Sequence, residues 1–484
     1  MPGAPSSRGW RVAAALLSGA LQYFATGLEP WWWAAWLAPI PLLAAAFRAS
    51  TREAWALALL AGLIGSASTA GYYATFIGTI GSALVMLLRA LILGIVVAGT
   101  RSVVLGSRHW LTVFTYPALT AGFDTVVAAV SHDGTMGSLA YSQMSALPVI
   151  QVAALAGAAG IIFVVSLFAS LVAIVWYRGT AIEKRWLAYG LPTGVIVAVL
   201  AYGAVRIANG QTAATMPVGL VAIDRGAPAP SSSLGADDPV WATYATAVSD
   251  LGQRGAKVVV LPEKIGRLDH AAADRVRALL GHAASDNALY LLAGVTLVER
   301  DRRENRAWLF APSGELIGDY VKHHLLQGPE SSFVTGRELV VRSVGGRRLG
   351  IAICKDMDFP TLGRRYAALG VEALLVPAWD FDVDDWSHAR MAVLRGVESG
   401  FAIVRAARNG LLTVSDRYGR IVDVAASRSA PVASLVVPAP LGFGEATIYA
   451  RLGDSFGWLC VVASAAAWLV SRRNRPCHQP DGDR

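Results

Sequence analysis

Leu349-Gly350-Ile351-Ala352-Ile353-Cys354 is a short apolar run that ends on a thiol, and two other runs share its design. Val258-Val259-Val260-Leu261-Pro262 leads to Glu263, and Gly318-Asp319-Tyr320-Val321 leads to Lys322. Runs of this length, rich in Val and Ile and bounded by turn residues, read as β-strands. Further strands are expected at Val218 to Ile223, Leu289 to Val295, Trp308 to Ala311, Ala373 to Val376, Ala402 to Ala406 and Leu411 to Val414. Helices are expected between them at Val240 to Gln253, Ala271 to Ser285, Thr361 to Leu369 and His388 to Glu398, with a hairpin turn at Pro312 to Glu315 and a loop from Gly226 to Gly235. Strands alternating with helices predict a layered α/β domain over 216–440, with its reactive groups at the carboxyl ends of strands.

On either side of this domain the composition changes. The 484-residue chain is 54% hydrophobic and 16% charged, outside the soluble average. A bilayer span takes about 20 apolar residues. Seven runs before Gln211 qualify: Val12 to Leu28, Trp31 to Phe47, Ala54 to Phe76, Ile80 to Thr100, Leu111 to Val130, Val149 to Tyr177 and Trp186 to Ile207. An eighth covers Ser455 to Ser471. The organisation expected is a transmembrane bundle over 1–210, the α/β domain, a final helix over 455–471 and a basic tail over 472–484. Arg8 and Arg11 precede the first run as in a signal peptide, but no small-residue cleavage site follows, so an uncleaved anchor is expected. Alternating helices put Arg8, Arg11, Arg48, Arg52, Arg101, Arg108, Arg178, Lys184, Arg185, Arg472, Arg473 and Arg475 on one side, and the opposite short loops have no Lys or Arg. By the positive-inside rule both termini are cytoplasmic and the α/β domain faces outward. Arg89 and Asp124 fall inside apolar runs, where ionisable groups pair or mark a path.

The net charge of +8 lacks the aromatic interleaving of a nucleic-acid surface, so no nucleic-acid partner is expected. Cys354, Cys460 and Cys477 are spaced for neither a disulfide framework nor a zinc site, and no cofactor or metal is implied. A carboxylate, an ammonium and a thiol at three strand ends suit acyl transfer. Glu263 would act as general base, Cys354 as nucleophile, and Lys322 would favour the thiolate and stabilise an oxyanion. On that reading Cys354 has enhanced thiolate character at neutral pH.

Leu261-Pro262-Glu263, Tyr320-Val321-Lys322-His323-His324-Leu325 and Ile353-Cys354-Lys355-Asp356 resemble the three motifs of the nitrilase, or carbon-nitrogen hydrolase, superfamily, in the same chain order. Glu330 falls where that superfamily has a second glutamate that orients the site. Arg390-Met391-Ala392, Arg395, Glu398, Gly400, Arg405, Asn409 and Gly410 resemble its later block. The membrane part resembles one branch, the apolipoprotein N-acyltransferase family, at Pro30-Trp31, Trp36-Leu37-Ala38, Pro41-Leu42-Leu43, Leu139-Ala140-Tyr141-Ser142-Gln143 and Tyr449-Ala450-Arg451-Leu452-Gly453-Asp454. The resemblance implies a nitrilase-like αββα sandwich between transmembrane helices. It also implies a multi-pass bacterial inner-membrane enzyme that moves a fatty acyl chain from a phospholipid, through a cysteine thioester, to the amine of a diacylglyceryl-cysteine lipoprotein. A monomer among membrane lipids is expected.

Some positions depart from the family. Lys355 follows the cysteine where Tyr is common, Asp356 replaces a Glu, Leu261 replaces a Trp, and Lys264 adds a charge beside Glu263. Lys355, Asp356 and Trp379 are candidate substrate contacts, with Lys355 also placed to pair with Asp356 or Asp358. A different amine acceptor, a membrane-anchored amidase or nitrilase using water, and a nonenzymatic scaffold stay open. The scaffold has no need of Glu263, Lys322 and Cys354 together.

Overall fold

The computed structural model describes residues 8–224, 235–300, 302–384 and 386–473; most of the Gly226 to Gly235 loop and the tail beyond 473 lie outside them. The N-terminal part is helical: α1 (Arg8–Ala25), α2 (Trp32–Leu37), α3 (Pro39–Ala46), α4 (Thr51–Ser66), α5 (Ala70–Gly106), α6 (Thr115–Val130), α7 (Leu147–Ile150), α8 (Ala153–Arg178) and α9 (Arg185–Ala208). Four described stretches are long and apolar enough to cross a membrane: Thr51–Gly106, Trp110–Val130, Ala153–Arg178 and Arg185–Ala208. The first would be about 84 Å long as one helix, far beyond a hydrocarbon core of about 30 Å. It is broken instead. A 3-10 turn at Ala67–Thr69 separates α4 from α5, and Gly78 interrupts α5 with φ +71 and ψ 171. The apolar run Ala54 to Phe76 is therefore not the single helix expected. Hydropathy registers no break there because the turn residues Ala67, Ser68 and Thr69 are small and only mildly polar. The run from Trp31 to Phe47 is likewise split, at Ala38, before Pro39.

The second part is a four-layer sandwich. One sheet has the order β13 (Ala433–Pro440), β1 (Thr215–Ala222), β2 (Val258–Val260), β4 (Tyr290–Glu299), β5 (Arg302–Phe310), β6 (Leu316–Val321), with β3 (Arg267–Leu268) pairing β4. The other runs β12 (Ile421–Ala426), β11 (Leu411–Ser415), β10 (Ala402–Arg408), β9 (Ala373–Trp379), β8 (Arg347–Ile351), β7 (Val341–Val344). Leu220, Val260, Leu292 and Leu309 of the first sheet share a core with Ile351, Leu375, Val404 and Val414 of the second. Outside, Trp241 and Val248 of α10 (Pro239–Gln253) and Leu280 of α11 (His270–Asp286) cover the first sheet. Leu362 of α12 (Pro360–Ala368) and Ala392 of α13 (Ser387–Ser399) cover the second. The strand β13 escapes a sequence reading because Pro438 and Pro440 argue against a sheet interior; it lies at the edge, antiparallel to β1.

The two parts share packing. Met391, Val393, Leu394 and Val397 of α13 join Val149, Ile150, Ala153 and Ile162 in one buried cluster. The short α14 (Ile448–Leu452) then returns the chain to α15 (Ser455–Arg473), which packs on α6.

Candidate active site

Glu263 lies just beyond β2, Lys322 just beyond β6 and Cys354 three residues beyond β8, so all three sit past the carboxyl ends of their strands. The turn after β2 passes very close to β4. A Cβ on Gly294 would come within 2.4 Å of the Pro262 carbonyl oxygen and 2.6 Å of the Glu263 Cα, so only glycine allows this approach. Lys322 Nζ donates to Glu263 Oε1 at 2.9 Å and to the two Glu330 oxygens at 3.0 and 3.2 Å. Asn305 on β5 ties the carboxylates together, its Nδ2 donating to Glu263 Oε1 at 2.6 Å and to Glu330 Oε1 at 2.8 Å. Lys264 adds a second ammonium, 2.7 Å from Glu330 and 3.5 Å from Glu263. Glu263, Lys322 and Glu330 are each at most 1% exposed. Two carboxylates and two ammoniums thus cancel where an unpaired charge could not persist.

These pairings hold the charges in place. Burial would lower the Lys322 ammonium, but Glu263, Cys354 and Glu330 raise it above its usual value. Burial would raise the Glu330 carboxyl, but Lys322 and Lys264, with hydrogen bonds from Lys264 and the Leu326 N–H, hold it at about 2. Asn305 is the member that sequence reading misses, since an Asn inside a charged strand carries no motif of its own.

Cys354 opens a 3-10 turn (Cys354–Asp358) with φ +44, a left-handed conformation that is costly for a residue with a side chain. Its Sγ faces the Trp379 carbonyl at 3.6 Å. Burial first, and then the charge of Glu263, push the thiol well up, while Lys322 favours the thiolate. The enhanced thiolate expected from Lys322 alone is thereby overturned: desolvation and the carboxylate outweigh one ammonium already shared with two glutamates. The balance of these influences favours the thiol over the thiolate.

The three candidate substrate contacts occupy different environments. Asp356 is 1% exposed and accepts from Tyr320 Oη at 2.7 Å, the His324 N–H and Nδ1 at 2.9 Å each, and the Ile353 N–H at 3.0 Å. With its oxygens so engaged it holds the turn behind Cys354. Lys355 is also buried; it pairs with Asp133 of the helical part and stands 4.0 Å from Asp358, not with Asp356. Trp379 alone is partly exposed, beside Cys354, with Lys264 Nζ 5.3 Å and the Arg408 guanidinium 4.8 Å from its ring centroid.

Between α1 and α3–α6 lies a cavity of about 420 Å³ lined by apolar residues such as Val85, Ile92, Val96 and Phe123. Arg89 and Asp124 line it too. Arg89 donates to Thr69 Oγ1 at 3.0 Å and Tyr73 Oη at 2.9 Å, and Asp124 accepts from Ser138 Oγ at 3.1 Å. The cavity reaches Asp133–Met136, where the Thr135 N–H and Oγ1 donate to the Asp358 carbonyl at 3.0 and 2.8 Å. One lining residue of the cavity, Thr135, is thus bonded to the last residue of the turn that begins at Cys354.

Among the described residues no group of His, Cys, Asp and Glu is placed to hold a metal ion. Residues 221–448 match the family model of carbon-nitrogen hydrolases, and residues 18–171 match that of the apolipoprotein N-acyltransferase N-terminal domain. An apolipoprotein N-acyltransferase of Geobacter metallireducens is 26% identical, over 96% of this chain and 96% of its own. One from Thermotoga maritima is 30% identical over 29% of each chain. A solved structure of an amidase from Nesterenkonia sp. aligns at TM-score 0.42 and 23% identity, covering 48% of this chain and 92% of that one. Both matches fall in their order along the chain and one relative is similar over nearly its whole length, so the chain resembles apolipoprotein N-acyltransferases in both of its parts.

Proposed function

We propose that this protein transfers a fatty acyl chain from a phospholipid to the N-terminal α-amine of diacylglyceryl-cysteine lipoproteins, through a thioester on Cys354. Glu263 takes the Cys354 proton as the sulfur attacks the ester carbonyl, and Lys322 stabilises the oxyanion. Collapse expels the lysophospholipid hydroxyl, which receives the proton from Glu263. In the second half the amine attacks the thioester, its proton passes to Glu263, and Cys354 leaves as a thiol once reprotonated. Glu330 keeps Lys322 and Glu263 oriented throughout. Trp379 borders the acyl groups. Splitting the exchange lets one site accept two bulky lipids in turn.

The observation that carries this reading is the largely apolar cavity among the helices, whose lining residue Thr135 is hydrogen-bonded to Asp358 in the turn that begins at Cys354, because a hydrolase of small amides has no physical use for it. The protein is read as a monomer of the bacterial inner membrane with seven spans before the 216–440 domain and one after it. The basic loops, both termini and the 472–484 tail then lie in the cytoplasm, and the domain on the outer face. The test is intact mass spectrometry after incubation with phospholipid. Wild type should carry a fatty acyl adduct that neutral hydroxylamine removes, and Cys354→Ala should carry none. A folded wild-type protein without adduct would defeat the proposal.

A further inference from the structure

Away from the reaction centre, three arginines from two separate stretches surround one tyrosine. The guanidinium carbons of Arg206, Arg417 and Arg420 lie 5.1, 5.6 and 5.2 Å from the centroid of the Tyr418 ring. Arg206 is in the last turn of α9, and the other two are in the turn between β11 and β12. The knot is pinned from several sides. Tyr418 Oη donates to the Gln211 carbonyl at 3.3 Å, Gln151 Nε2 donates to the Tyr418 carbonyl at 2.8 Å, Arg206 donates to Gln151 Oε1, and Arg420 donates to the Ile207 carbonyl at the end of α9. Countercharge is scarce, with Asp416 3.7 Å from Arg420. Arg417 has no hydrogen bond or ion pair among the described residues. It rests on the rings of Tyr418 and Phe443, and its Nε is shielded from solvent without a partner.

We propose that Arg206, Arg417 and Arg420 bind the phosphodiester of an anionic phospholipid in the leaflet on the catalytic-domain side. A cation–π contact occupies the face of a guanidinium and not its N–H edge; Arg206 and Arg420 use part of that edge on Gln151 and Ile207, Arg417 uses none among the described residues, and a planar edge of this kind matches phosphate oxygens. Three like charges around one ring repel one another, and an anion relieves what Asp416 alone does not. The level of the site in the membrane follows from its neighbours. The end of α9 leads within a few residues into β1, and Phe443, whose ring lies 5.3 Å from the Arg417 guanidinium, is 44% exposed, an apolar neighbour suited to a lipid surface. A basic pocket between helix ends at that depth meets head groups. A zwitterionic lipid brings its own ammonium and relieves less. This site is separate from the acyl-chain cavity and rests on the reading that the helices span a bilayer.

The test is thermal unfolding of the full-length protein in detergent with dioleoylphosphatidylglycerol, dioleoylphosphatidylcholine or inorganic phosphate as probe. Phosphatidylglycerol should raise the midpoint by about 2–4 °C, phosphatidylcholine should not, and Arg417→Gln should lose the shift. Arg417→Lys, which keeps the charge, should retain part of it. Equal shifts in wild type and Arg417→Gln, or with both lipids, would overturn the assignment. So would phosphate alone giving the whole shift, which would make this a site for free anions. If Arg417→Gln does not fold, Arg206→Gln replaces it under the same criteria. Partition of the protein into the membrane fraction and the Cys354 adduct are measured independently, so failure of the lipid site and failure of the catalytic reading stay distinguishable.

Discussion

Glu263, Lys322, Glu330, Lys264 and Asn305 form a cluster whose formal charges cancel within one domain, whereas Asp133, Lys355, Asp358, Asp384 and His388 form one that reaches from the helical part into the catalytic part. The first gives every charge a close partner. The second has three carboxylates for two cations, and it shows the imbalance. Burial pushes the Asp358 carboxyl up to about 6, against the charges of His388 and Lys355. Burial would lower the His388 imidazolium, but the hydrogen bond and charge of Asp384, 3.0 Å away, raise it to about 9, helped by Asp380 and Asp358. The difference teaches that Lys322 and Glu330 hold each other in their charged forms, while the joint between helices and sandwich carries two groups, Asp358 and His388, raised to either side of neutral pH.

The strongest way to break this comparison is to remove one cation from each cluster. Lys322→Met leaves two buried carboxylates to the single ammonium of Lys264 and should cost about 3–5 kcal/mol of stability, with turnover down about a hundred- to a thousandfold. Lys355→Met should cost only about 1–2 kcal/mol, because its partner Asp133 is 54% exposed and can be rehydrated. Denaturant unfolding in detergent measures both; equal losses would mean that the two clusters are not different in kind. Asn305→Ala removes the donor that ties Glu263 to Glu330. It should cost about 1–3 kcal/mol and lower turnover up to about a hundredfold without preventing Cys354 from reacting with a small thiol reagent.

The pH response sharpens the comparison. His388 is raised in the folded state, so its contribution is fully present below its unfolded value of 6.5 and is lost as pH rises through about 9. The full effect is at most about 3 kcal/mol. Midpoints recorded from pH 6 to 10 should fall across this window in wild type and stay flatter in His388→Gln. The opposite sign applies to Glu330, which is lowered: its contribution is present above the unfolded carboxylate value and is lost only as pH falls through about 2. Lys264→Gln should have the smallest effect. It weakens that hold, so the acid limb of the rate profile should begin at higher pH while turnover at neutral pH stays within about tenfold.

Much of the site is legible in the sequence because strand ends are local signals. An apolar run closed by Glu263, Lys322 or Cys354 can be read in six residues, and parallel neighbours such as β8 and β9 align such ends on one side of a sheet. Glu330 is reached by resemblance, and the structure brings it to Lys322. The edge strand β13 and the break between α4 and α5 are not legible, since prolines and small residues carry weak or contrary propensities there.

What the sequence determined by itself was therefore the chemistry available: a thiol, a base and an ammonium in an α/β domain, flanked by helices apolar enough for a membrane. Only the tertiary structure decided how those groups behave. Lys355 finds Asp133 across 222 residues, Asn305 bridges two glutamates from other loops, and burial outweighs Lys322 in pushing the Cys354 thiol up. The reason is physical: strand and helix patterns depend on near neighbours, whereas desolvation and ion pairing depend on which distant segments close around a charge.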